Sequence, residues 1–209
     1  MSPRHQKDRK AMIREAAIEL FAKQGFQATP TAKVAQLAGV SEGTVFYHFQ
    51  TKEGILVSLF EEIVQQFIGN MRQVLDQAPS GLAAVLDCLR VQADLFAQRP
   101  RESLILVRDM PASITEPGSP HRDLVMGAMS QLIDLITQAV TKGQKDGSIR
   151  PCDPRRGAYM VLGMITGMGR LRLLGMTSEE ELDQEVLEFC QRALATTHGP
   201  NLGQEQATP

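Results

Sequence analysis

Residues 25–56 read GFQATPTAKVAQLAGVSEGTVFYHFQTKEGIL, and this stretch decides the fold. Ala38-Gly39-Val40-Ser41 separates two short segments of helical periodicity, over about 30–38 and about 42–49. Gly39 lets the backbone turn left-handed without a Cβ clash. Val40 is apolar and plugs the corner. Ser41 satisfies open amides at the start of the second segment. Two helices joined by a three- to four-residue turn containing Gly form a helix-turn-helix, here over about residues 29–49.

The flanks extend the pattern. Ile13, Ala16, Ala17, Leu20 and Phe21 recur at three- and four-residue steps, which predicts a helix over about 8–24, stopped at Gly25. Thr29 is expected to cap the next helix, with Pro30 at its first position. Thr51 caps a long helix over about 52–76, striped by Ile55, Leu56, Leu59, Phe60, Ile63, Val64, Phe67 and Ile68. Further helices are expected over about 81–98, 101–110, 121–145, 154–174 and 179–195, the last capped by Ser178. Pro79-Ser80-Gly81, Pro100, PASITEPGSP (111–120) and KDGSIRPCDP (145–154) break them. No period-two strand pattern stands out. The expected fold is all-α with about nine helices: a helix-turn-helix domain at 1–52, a helical body at 53–195 and a polar tail at 196–209, expected to be disordered.

Charge is divided along the chain. Residues 1–60 carry 8 Lys/Arg against 5 Asp/Glu, whereas residues 61–209 carry 14 against 19. A basic first part on an acidic body points to a polyanion partner for the first part alone. Arg4, Lys7, Arg9, Lys10 and Arg14 open the chain. They read as a phosphate or minor-groove arm, or as a solvated tail. Cys88, Cys152 and Cys190 are odd in number, widely spaced and without metal-ligand spacing, so reduced structural thiols in a cytoplasmic protein are expected. No run of 18 apolar residues occurs, so no membrane span is expected. No phosphate-binding loop, nucleophile elbow, dinucleotide fingerprint or HExxH pair is present, and the four His do not cluster. No catalysis, cofactor or metal is therefore expected.

The second helix of the motif is about two turns long. Gly43 and Thr44 give it a slim leading end that can approach base edges in the major groove. Glu42 can accept from a cytosine amine or simply favour the helix N-terminus. Tyr47 and His48 lie near its end, within reach of phosphates. Lys52 sits where a lysine and a helix N-terminus can hold one phosphate together.

Gly25, Phe26, Thr29, Ala35, Ala38, Gly39, Val40, Ser41, Gly43, Thr44, His48, Phe49 and Lys52 match the DNA-binding domain of the tetracycline-repressor (TetR) family, which the stretch strongly resembles. Two positions depart. Phe46 stands where the family has a Tyr that commonly touches phosphate, and Pro30 where it has Thr or Ser. The resemblance implies a cytoplasmic, ligand-responsive regulator, a repressor more than an activator. It implies a homodimer on palindromic double-stranded operator DNA, released by a small effector. The DNA-binding set is then Thr29, Ser41, Glu42, Gly43, Thr44, Phe46, Tyr47, His48 and Lys52.

For the dimer, Gly163 and Gly167 would let two backbones approach, and Leu182, Val186, Phe189 and Ala193 form a helical stripe. Intramolecular packing of both stripes is the alternative. For the effector, the run Leu104–Val107 with Phe67, Leu89, Met110, Met126, Met129, Met164 and Met168 gives an adaptable apolar lining. Arg108, Asp109, His121 and Arg170 are its candidate polar partners. An apolar effector is expected. Two other classes stay open: a ligand-free architectural or protein-binding module, and an all-helical enzyme.

Overall fold

The computed structural model describes residues 3–109, 111, 114–173, 175–176 and 179–196; of 3–7, 173 and 179–183 it describes the backbone alone. Among these residues the chain forms nine helices: α1 (Pro3–Gln24), α2 (Thr31–Leu37), α3 (Glu42–Phe49), α4 (Lys52–Gln77), α5 (Gly81–Gln98), α6 (Pro100–Asp109), α7 (Arg122–Lys145), α8 (Pro154–Leu173) and α9 (Glu179–Leu194). The sole extended pairing among them is an isolated bridge between Ile149 and Ala195.

Local chemistry sets the boundaries. Ser41, Thr51 and Ser80 each cap a helix, their hydroxyls accepting from the amides of Thr44 (3.2 Å), Gly54 (2.9 Å) and Ala83 (3.1 Å). Such a cap contributes about 1 kcal/mol. Pro100 and Pro154 occupy first helical positions, where a missing N–H costs nothing. α1 begins five residues earlier than its apolar periodicity predicts.

One expected cap is absent. Pro30 itself caps α2, with extended backbone and no side-chain bond. Thr29 is fully buried: its hydroxyl donates to the Gly25 carbonyl (2.7 Å) and accepts from Gln24 Nε2 (3.0 Å). It braces the α1–α2 turn, and being sealed from solvent it does not reach DNA in this conformation. Thr196, assigned to the tail, is tied down, its hydroxyl donating to the Gly147 carbonyl at 2.8 Å. The rest of the tail, and Ser178, lie outside the described residues.

α4 is the spine. Its stripe buries Ile55, Leu56 and Leu59 near the head and Phe67, Ile68 and Met71 in the body. α7 packs against α4, α5 and α8. It is the one described helix long and apolar enough to cross a membrane, and that apolarity goes into packing: Leu132, Ile136, Ala139 and Val140 are buried in the core. α5 meets α7 at Gly81, where a Cβ would lie 1.9 Å from the Gly143 nitrogen. The start of α5 takes two further caps from beyond α7: Gly81 N–H donates to Asp146 Oδ2 (2.7 Å) and Leu82 N–H to Ser148 Oγ (3.1 Å).

Candidate nucleic-acid interface and body cavity

The turn between α2 and α3 closes as the sequence implies. Gly39 is left-handed (φ 65°); its N–H donates to the Gln36 carbonyl (3.2 Å) and that of Val40 to Ala35 (3.0 Å). This paired arrangement satisfies the last carbonyls of α2. α3 then buries Val45 and Phe49 on one face and turns Glu42, Gly43, Phe46 and Tyr47 outward. Tyr47 is 71% exposed and Phe46 44%.

The leading end of α3 is preset by its own hydrogen bonds. Ser41 and Thr44 share a hydroxyl–hydroxyl bond of 2.8 Å, which orients Thr44. Glu42 accepts from the Thr31 hydroxyl at 2.6 Å, joining the starts of α2 and α3. That bond favours the helix-end role for Glu42. Thr31 carries no motif signal beyond its place at the start of α2.

The trailing end of α3 meets α1 and α4. Gln50 holds φ 63°, ψ −48°, and the Thr51 N–H bonds back to the Phe49 carbonyl at 2.7 Å. This is a tight three-residue turn of the strained kind. A Cβ on Gly54 would lie 1.9 Å from that same carbonyl oxygen, so only Gly allows α4 to start here. Gly54 gives no warning in sequence beyond being a Gly in a first helical turn. Lys52 donates to the Gln27 carbonyl (3.2 Å) with its ammonium 4.5 Å from the centre of the Phe26 ring. Burial pulls its pKa down, opposed by Glu53. It pins the α1–α2 turn while its charge stays at the rim of the head. Lys10 lies over Phe49, 5.6 Å from the ring centre. Burial lowers the His48 pKa, and Lys10 and Arg9 lower it further. The basic start of the chain thus reaches the end of α3, as charge counting alone could not place it. The Arg4 side chain lies outside the described residues.

In the body, α4, α5, α6, α7 and α8 line an open cavity of about 570 Å³. Phe67, Met126, Met129 and Arg170 line it, with Leu106 and Val107 from the apolar run. Phe60, Phe96, Leu132 and Ile165 add to the wall. The other candidates lie elsewhere. Leu89 and Met168 line a smaller cavity of about 250 Å³, with Val186 and Leu187 of α9. Met164 faces α9, with Cys190 Sγ at 3.6 Å. His121 is the residue before α7, with Nε2 buried and unbonded, and does not line the cavity. Met110 lies outside the described residues. Four-residue spacing finds a helix face but cannot say which of two cavities that face meets.

Arg108 is the clearest correction. Its guanidinium donates to Asp109 (2.7 and 3.0 Å) and to the Phe21 carbonyl at the end of α1 (2.6 Å). Asp109 accepts from the Phe26 N–H at 3.3 Å. The end of α6 therefore clasps the head, while Ser103, Leu106 and Val107 of the same helix wall the cavity. A second tie runs through Glu62 of α4, which bridges Arg14 of α1 and Arg99 after α5.

On the outer side, α8 exposes Tyr159 and Met160 and α9 exposes Phe189. Met160, Gly163, Phe189 and Ala193 line one groove between these helices. Gly167 instead borders the large cavity, and Val186 packs inward. The Leu182 side chain lies outside the described residues.

A helix-turn-helix head tied to a hollow helical body defines a DNA-binding transcriptional regulator. Residues 13–59 match the family described as bacterial regulatory proteins, tetR family. The chain is 30% identical over 159 residues to the HTH-type transcriptional regulator YhgD of Bacillus subtilis, covering 74% of this chain and 79% of that one. It is 27% identical over 154 residues to the fatty acid metabolism regulator protein of the same species, covering 73% and 77%. The crystal structure of FadR from Bacillus subtilis in complex with stearoyl-CoA superposes with a TM-score of 0.76 at 22% identity, over 88% of this chain and 98% of that one. The chain belongs to the TetR family and is a transcriptional regulator.

Proposed function

We propose that the chain is a homodimeric, cytoplasmic and non-catalytic repressor. Residues 1–52 read a palindromic operator, and residues 53–195 sense a small effector with a large apolar part and pair the protomers. The observation that carries the ligand response is α6, which walls the cavity and clasps α1 through Arg108 and Asp109. A ligand that seats better when α6 is displaced shifts the clasp, and with it the head. Only this difference in affinity between two states moves the equilibrium. The stearoyl-CoA bound by FadR supports an effector with a long apolar part.

In the DNA complex, Gly43 and Thr44 meet base edges, Ser41 and Glu42 frame them, and Tyr47, His48 and Lys52 lie along phosphates. Phe46 offers apolar contact in place of a hydroxyl. Selection from random duplex DNA tests this reading. It should return an inverted repeat whose affinity falls steeply with salt. Recovery of no sequence preference would exclude operator reading.

His48 gives the interface a pH dependence. Its folded pKa lies below the usual His value of about 6.5. The unfolded chain therefore binds more protons, and the folded head loses stability as pH falls through that range. A nearby phosphate reverses the preference, so DNA binding takes up a proton. Operator affinity should rise from pH 8 to pH 6 at constant salt, and His48→Gln should flatten the profile. An unchanged slope would remove His48 from the interface.

Phe189, 63% exposed beside Met160, is the pairing anchor. Phe189→Arg should sediment as a monomer where the parent is a dimer. Its head would stay folded, and operator affinity would drop because two half-sites are no longer linked.

A further inference from the structure

We propose that the effector is an amphipathic anion, its apolar body in the cavity walled by α6 and its acidic group held at the mouth by Arg170. The inference rests on the effector reading above and specifies the ligand class. Among the described residues Arg170 is the one ionisable side chain lining this cavity, and it is exposed. No Asp, Glu or Lys among the described residues lines it to balance the charge, so a cationic ligand is repelled and an anionic one attracted.

Arg170 makes no hydrogen bond or ion pair among the described residues. Other arginines of the body are committed: Arg99 to Glu62, Arg108 to Asp109, Arg155 to Asp134. The last turn of α8 holds two arginines, both suited to the negative end of a helix, but only Arg170 faces the large cavity. A planar guanidinium matches a carboxylate or phosphate with two parallel hydrogen bonds.

Gln92, Ser103, Thr115 and Thr166 add neutral polar groups to the lining. Ser103 of α6 lines the same cavity and is 3% exposed. A hydroxyl both donates and accepts, so Ser103 offers a ligand one polar contact along its length. Aliphatic and aromatic walls on α4, α5 and α7 take the remainder. A volume near 570 Å³ lies within the range of small-molecule sites.

The test is calorimetric titration of the full chain with four probes of equal chain length: decanoate, decyl phosphate, decanol and decyltrimethylammonium. Decanoate or decyl phosphate should bind at least about tenfold more tightly than decanol, with the cation weakest. Which anion wins separates a free carboxylate from a phosphate-bearing conjugate. Arg170→Gln should remove the preference for anions and leave decanol binding unchanged, showing that the cavity is intact; Arg172→Gln should keep the preference. Decanol binding as well as the anions, or an anion preference that survives Arg170→Gln, overturns this inference alone. Binding of none of the four overturns it together with the effector reading.

Discussion

Gly81→Ala is expected to lower the melting temperature by about 6–12 °C, as a loss of about 3 kcal/mol does in a protein of this size. The added Cβ would sit 1.9 Å from the Gly143 nitrogen, 2.3 Å from its Cα and 2.5 Å from the Ala139 carbonyl oxygen. All three are backbone atoms of α7, so no side-chain rotation relieves the clash. The helices must separate. That strains the Asp146 and Ser148 caps on α5 and loosens the Gly143–Ile149 contact behind them. The cost lies at or above the upper end of ordinary overpacking, about 1–3 kcal/mol. Gly127→Ala, on the open face of the same α7, is the control. Nothing lies within 4 Å of its new Cβ, so it should gain up to about 1 kcal/mol from helix propensity. Thermal unfolding of both variants decides the matter. Equal melting temperatures would mean that α5 and α7 do not meet at these glycines.

Gly54→Ala is expected to reduce operator affinity on the order of a hundredfold. Its Cβ would lie 1.9 Å from the Phe49 carbonyl oxygen, the acceptor of the tight turn at Gln50. Relief requires α3 to tilt away from α4 at its C-terminal end. Base contacts from one helix tip are worth about 1–3 kcal/mol each, so loss of two accounts for the factor. The packing of α7 on α4, α5 and α8 lies away from this turn, so the body should keep its helical content and its ligand binding. Operator titration, circular dichroism and calorimetry on one preparation separate the outcomes. Parent-like affinity in a folded Gly54→Ala would show that the placement of α3 does not depend on this close approach.

Much of the head was legible because its signals are local. A cap, a left-handed Gly and an apolar plug act within four residues, so Ser41, Gly39 and Val40 disclose the turn wherever they occur. Thr29 misleads for the same reason. Thr before Pro is a good cap locally, but Gly25 and Gln24 come back over the turn and claim its hydroxyl. The helix-turn-helix family match over 13–59 reaches a little beyond this local grammar, into the buried faces of α1 and α4.

The sequence by itself determined the helices, their breaks, the helix-turn-helix and the family, since each follows from periodicity and short-range hydrogen bonding. Tertiary structure alone decided what the helices do to each other. It sent Arg108 to the carbonyls of α1 and not to a ligand, split the methionines among two cavities and a groove, and left Arg170 at one mouth. It also made Gly54 and Gly81 indispensable, since a glycine's worth depends on which backbone passes over it. Those facts are set by packing between segments tens of residues apart, where one-dimensional spacing carries no record of the neighbour.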